Sequence, residues 1–121
     1  MSERWRPNQR IRSRRVFQII FKRGKWAKGF LLNLWSYGGP EVFEEDGPPQ
    51  LAVMVSRKVN ARATQRNLWK RRIREVFRRH QAEIKNGTAV LIQARKQNKT
   101  PSYAMIESEV MTLLAKTGSG R

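Results

Sequence analysis

The sequence predicts an α+β fold: a single-domain, two-layer sandwich with a mainly antiparallel sheet and three helices packed on it. Three observations predict it. Apolar runs of strand length occur at 30–37, 51–56 and 88–94. Between and around them, apolar side chains keep helical spacing over 13–23, 63–84 and 101–115. The resulting order, helix, strand, strand, helix, strand, helix, fits one domain of 121 residues that is 39% hydrophobic.

Residues 1–12 are basic and contain Pro7, and read as a flexible arm. Ser13 is placed to cap a helix that runs to Arg23, with Gly24 ending it. On this helix Phe17 and Phe21 share a face, and Val16 and Ile20 form the adjacent stripe. The segment 30–37 is the first strand. Residues 38–50 hold Gly38-Gly39-Pro40, Gly47-Pro48-Pro49 and the acids Glu41, Glu44, Glu45 and Asp46, and predict a solvated loop. A second strand follows at 51–56. The long helix 63–84 carries Trp69, Ile73, Val76, Phe77 and Ile84 on one face, the stripe needed to dock on a sheet. Asn86-Gly87 ends it, and 88–94 is the third strand. Arg95 to Lys99 is a basic loop. Thr100-Pro101 opens the last helix, with Tyr103, Ile106, Val110, Leu113 and Leu114 at helical spacing. Residues 13–115 thus form the domain, and 116–121 read as a flexible tail.

Charge narrows the function. Twenty-six basic residues against nine acidic ones leave a formal net charge of +17. Such a chain repels itself unless a polyanion answers it, so nucleic acid is the favoured partner. No apolar run reaches membrane-span length, and the Arg-rich start lacks the apolar stretch of a secretory signal. The absence of cysteine excludes disulfides and thiolate zinc sites. A cytoplasmic protein is the simplest reading.

Catalysis by the protein itself is not expected, and neither catalytic nor metal-ligating residues are assigned. His80 is the single histidine, with a packing or surface role. Glu75 lies among arginines, where an ion pair along the helix explains it. No Gly-rich phosphate loop follows a strand. The basic helix is the stronger signal. Arg66, Lys70 and Arg74 form one row; Asn67, Arg71 and Arg78 fill the next. Arginine matches phosphate with two parallel donors, and an Asn amide both donates and accepts. Phe17 and Phe21 fit either of two roles: core, which spacing favours, or with Trp35 a stacking floor for unpaired bases.

These residues resemble the protein subunit of bacterial ribonuclease P. Val55-Ser56-Arg57-Lys58-Val59 resembles that family's strand end, and Arg66-Asn67, Lys70-Arg71 and Arg74-Glu75 match its basic helix. Arg15 to Gly24 is similar to its first helix and following glycine, and Ile92-Gln93-Ala94-Arg95 to its last strand. The likeness covers about 12–115. Two departures stand out: Leu68 occupies a position usually Arg, and Asn60 or Ala61 replaces a glycine, with one extra residue near Ala61-Arg62. The resemblance implies an enzyme whose catalyst is an RNA subunit that removes the 5′ leader of precursor tRNA by metal-assisted hydrolysis, with Mg2+ bound mainly by the RNA. It implies RNA-subunit contacts from Arg57, Lys58, Arg62, Arg66, Asn67, Lys70, Arg71 and Arg74. It implies leader contacts from Phe17, Phe21 and Trp35, moving the aromatics from core toward groove. It requires no protein partner. It also implies a left-handed parallel β-α-β crossover, against the general right-handed rule. Alternatives are a ribosomal-type structural RNA-binding protein and, further off, a DNA-compacting protein.

Overall fold

The first helix begins where the sequence places its cap: the Val16 amide donates to Ser13 Oγ at 3.5 Å. The computed structural model describes residues 11, 13–39 and 47–120. In chain order these form α1 (Arg14–Arg23), β1 (Lys25–Lys28), β2 (Leu32–Tyr37), β3 (Gln50–Met54), α2 (Ala63–His80), β4 (Ala89–Ala94) and α3 (Tyr103–Lys116). A cap at Ser102, accepting from the Met105 amide at 3.3 Å, starts α3 in the same way.

One sheet joins the strands in the order β1-β2-β4-β3. The β1–β2 and β2–β4 pairs are antiparallel, and β3–β4 is parallel, so α2 is the crossover between two adjacent strands. Side chains alternate across the sheet. Leu32 and Leu34 of β2, Leu51 of β3 and Val90, Ile92 and Ala94 of β4 join the core under α2 and α3. Trp69, Ile73, Val76 and Phe77 fill it from α2, and Ile106, Val110, Leu113 and Leu114 from α3. Each large apolar side chain buried there contributes roughly 1.5–3 kcal/mol. On the opposite face, α1 lays Ile20 against Ala52, Ala89 and Leu91. Among the described residues, no helix is long and apolar enough to cross a membrane.

Several local expectations change. The segment Lys25–Lys28 is a strand that sequence reading leaves as a linker: four residues, two of them lysines, carry too little apolar signal alone, and pairing with β2 supplies the rest. Gly24 ends α1 with an extended backbone, and a Cβ there would sit 2.4 Å from the Ile20 carbonyl oxygen, so close packing rather than an unusual dihedral requires glycine. The long helix stops at His80, short of Ile84. A single 3-10 turn over Gln81–Glu83 follows, and Ile84 pairs instead with Gly120. Residues 117–120 do not form the flexible tail expected. Thr117 and Ser119 are buried, the Lys85 amide donates to the Ser119 carbonyl at 2.9 Å, and Ser119 Oγ bonds to Ser36 Oγ of β2 and Thr117 Oγ1. Of the expected arm, Ile11 is buried and its amide donates to the Leu51 carbonyl at 3.0 Å. Residues 1–10 and 12 and the acids at 41–46 lie outside the described residues.

Candidate nucleic-acid interface

Helix α2 is positioned by its apolar stripe. Burying Trp69, Ile73, Val76 and Phe77 turns the opposite side of the helix outward. There Asn67, Lys70, Arg71, Arg74, Glu75 and Arg78 line one shallow depression of about 370 Å³. Asn67, Lys70 and Arg71 make no side-chain hydrogen bond or ion pair with any described residue. Glu75 sits at the far end and is engaged: Arg78 Nε and Nη2 donate to it at 3.0 and 2.5 Å, and Arg79 Nε at 3.1 Å. The Arg78 hydrogen bonds, helped by Arg79, hold its carboxyl down at about 2.

The other expected RNA contacts are arranged before and beside this depression. Arg57 and Lys58 are exposed on the turn after β3, closed by the Val59 amide donating to the Ser56 carbonyl at 3.0 Å. Asn60 Oδ1 accepts from the Arg62 amide at 3.0 Å, which sets the turn into α2. Arg66 is partly structural: its Nη1 donates to the Asn60 and Ala61 carbonyls at 3.1 and 2.8 Å. Arg62 lines a second depression of about 450 Å³ with Asn60, Gln65, Leu68, Arg72, Asn98, Lys99 and Thr100. Leu68 is half-buried in its wall. Sequence reading misses Lys99 and Arg72 here. Arg72 Nη1 also donates to the Pro101 carbonyl at 2.5 Å, tying α2 to the start of α3.

On the α1 face of the sheet, aromatic rings form a row. Phe21, 44% exposed, meets Trp35 edge-on at 4.9 Å between ring centres. Trp35 in turn lies 6.3 Å from Trp26, which is 55% exposed. Phe17 is half-buried and packs against the small core under α1 with Val16, Trp35, Tyr37 and Met54. The structure therefore brings Phe21 and Trp35 together directly, seats Phe17 partly in the core, and adds Trp26. The signal for Trp26 lies in register: it is directly opposite Trp35 in the β1–β2 pair, so the two share a face. Arg15, Lys22 and Arg23 line a depression on α1 nearby.

His80 closes the far end of α2 against α3. Its Nε2 lies 2.7 Å from Glu107 Oε2, and its Nδ1 bonds to Glu83. The bond to Glu107 and then the bond to and charge of Glu83 raise its pKa, against the opposing effect of burial. Tyr103 donates to the same Glu107 at 3.3 Å, and the Arg79 guanidinium stacks 5.2 Å from the Tyr103 ring centre. Among the described residues, no group of three or more His, Cys, Asp or Glu is arranged to hold a metal ion.

Comparison with known proteins gives a consistent result. A family model described as Ribonuclease P matches residues 6–118. The ribonuclease P protein component of Clostridium kluyveri is 33% identical over 111 residues, covering 90% of this chain and 94% of the relative. That of Thermotoga maritima is 34% identical over 98 residues, covering 80% and 78%. Among solved structures, the Staphylococcus aureus RNase P protein superposes with a TM-score of 0.79 at 25% identity, covering 93% of this chain and 98% of that one. The Thermotoga maritima protein superposes with a TM-score of 0.74 at 28% identity, covering 88% and 96%.

Proposed function

Because the chain belongs to the ribonuclease P protein family and so has the function of that endoribonuclease's protein subunit, we propose that α2 holds the catalytic RNA subunit and that the aromatic row holds the 5′ leader of precursor tRNA. The observation that carries the first assignment is the outer face of α2, where Asn67, Lys70 and Arg71 share a depression and are not spent on the fold. Phosphate neutralisation by such a face releases counterions and supplies affinity without sequence reading. Arg74 lines the same depression, and Arg57, Lys58, Arg62 and Arg66, on the turn into α2 and its first turn, add further cations before it. The second assignment rests on Phe21, Trp35 and Trp26, whose neighbouring rings offer faces and edges to splayed bases.

The protein's contribution is electrostatic and positional. With +17 formal charges it offsets phosphate repulsion where the substrate meets the RNA subunit, and so lowers the magnesium needed. The Mg2+ ions of the reaction belong mainly to the RNA. Among the described residues the carboxylates Glu75, Glu83, Glu107 and Glu109 all accept hydrogen bonds from, or pair with, protein groups. This reading places the protein in the cytoplasm, with no protein partner required.

Reconstitution tests it. With the RNA subunit at low magnesium, the protein stimulates cleavage, and it binds precursor tRNA better than mature tRNA. The Trp26→Ala change reduces leader-dependent affinity by about 1–3 kcal/mol, the scale of one stacked base. Cleavage by nuclease-free protein without RNA, or equal affinity for any duplex, overturns it.

A further inference from the structure

Away from α2 and from the aromatic row, the β1–β2 connection presents an aromatic ring to solvent on a fully tied backbone. Phe30 is 88% exposed. Its amide and those of Leu31 and Leu32 donate to the Glu109 carboxylate of α3 at 2.7, 2.7 and 2.8 Å. Gln97 Nε2 donates to the Phe30 carbonyl at 2.9 Å, and Arg95 Nη1 to the Gly29 carbonyl at 2.5 Å. Even Gly29 belongs to this arrangement, since a Cβ there would lie 2.5 Å from the Glu109 carboxyl carbon. Leu31 of this turn is buried in the core, yet the Phe30 ring beside it buries almost nothing on its own chain. Phe30 borders a groove of about 630 Å³ whose apolar wall includes Leu31 and half-exposed Met105, and whose margins carry Lys28 and Lys116.

We propose that Phe30 and Met105, flanked by Lys28 and Lys116, form a second RNA-contact site that stacks one unpaired base of the ribonucleoprotein's RNA and holds its phosphates. Charge selects this occupant. The one acid of the groove, Glu109, has both oxygens committed to backbone amides, so the lysines face outward against nothing that the groove supplies. A second copy of this chain would bring the same lysines together on two bodies already strongly cationic. An RNA strand satisfies both features at once: an aromatic ring stacks any base, and ammonium groups take the adjoining phosphates. The proposal rests on the RNA-binding reading above but involves none of the α2 residues.

The test uses the full chain with the RNA subunit and precursor tRNA. Phe30→Ala should weaken assembly or substrate binding roughly fivefold or more, the lower range for one lost stack, with melting unchanged. Lys28→Ala with Lys116→Ala should weaken it further and flatten its salt dependence. A photoreactive benzophenone side chain at position 30 should cross-link to an RNA nucleotide in the assembled enzyme. Unchanged affinity in Phe30→Ala, a loss that merely follows a lowered melting temperature, or adducts only to a second copy of the chain would overturn it. Lys70→Ala is the control: if it weakens binding while Phe30→Ala does not, this site falls and the α2 reading stands.

Discussion

From Ala63 to Arg74 the outer face of α2 presents Asn67, Lys70 and Arg71 without partners among the described residues, whereas from Glu75 to Glu83 the polar side chains close on one another and on α3. The helix field sharpens the contrast. Cations at a helix C-terminus are favourable and at its N-terminus unfavourable, by about 0.3–1 kcal/mol each. Arg78, Arg79 and His80 occupy the last turn, where they stabilise the helix. At the other end the cap residue is Arg62, without a side-chain cap bond, and the first turn has no acid. Cations there work against the isolated fold, and a bound polyanion would reverse that sign. The charges of the C-terminal half of α2 serve the fold; Asn67, Lys70 and Arg71 of the other half do not, and the proposed RNA contact is what would use them.

Breaking the N-terminal half gives the largest effect. If about six phosphates are neutralised, RNA affinity should fall roughly a thousandfold between about 50 and 200 mM salt. Lys70→Ala with Arg71→Ala should reduce the slope of log affinity against log salt by about two, one per lost phosphate contact, while leaving melting unchanged. Filter binding over a salt series, beside thermal melts, measures both; an unchanged slope would show that this face does not meet RNA.

Arg66 stands on the boundary, since it is expected to face RNA and also ties two carbonyls. Arg66→Ala should lower both RNA affinity and stability, the latter by about 1 kcal/mol for the lost hydrogen bonds. Arg66→Lys should recover the salt slope but not the stability. If Lys recovers both, the carbonyl contacts contribute nothing to the fold.

The C-terminal half should respond to pH instead. The folded pKa of His80 is raised above its ordinary value, chiefly by Glu107. Its stabilisation is therefore fully present below the unfolded pKa of about 6.5 and is lost as pH rises through the folded value. His80→Gln should cost about 1 kcal/mol near pH 5, a drop of several degrees in melting temperature. The difference should vanish at high pH, and RNA affinity should not change. A wild-type-to-mutant gap that is constant with pH would dismiss the ion pairs as the cause.

The smallest change is the most diagnostic. Glu75→Gln removes a carboxylate held at about 2, whose stabilisation is present above pH 4.5 or so and is lost as pH falls through the folded value. Solvent exposure limits this to about 0.5 kcal/mol. Releasing Arg79 should slightly raise RNA affinity, moving the second half toward the character of the first; a fall in affinity would contradict the division.

What sequence alone conveys is local. The stripe of Trp69, Ile73, Val76 and Phe77, the caps at Ser13 and Ser102, and the strand cores around Leu34, Leu51 and Leu91 follow from periodicity and cap chemistry. So does the outward row at Asn67, Lys70 and Arg71, since burying one face of a helix exposes the other. What stays hidden depends on partners far along the chain. Glu109 looks like one more surface acid on an amphipathic helix until the fold brings amides from 77–79 positions away onto it. Ser119 reads as a fraying end because Ser36, its buried partner, is 83 positions away. Trp26 goes unread because β1 exists only through pairing with β2. Phe17 is placed by spacing in the core and by family likeness in a groove; it is half-buried, packed against the small core under α1.

That α2 is itself the connection between the parallel strands β3 and β4 has a thermodynamic consequence. Docking α2 and closing the two strands fixes the proposed RNA-binding face in the folded protein, so RNA that binds only the folded chain acts as a folding ligand. It stabilises the protein by RT ln(1 + [L]/Kd), about 2.7 kcal/mol at a hundredfold excess over Kd. Salt then acts with opposite signs on two linked equilibria. It screens self-repulsion and favours the free folded protein, while it weakens the complex that stabilises that same fold.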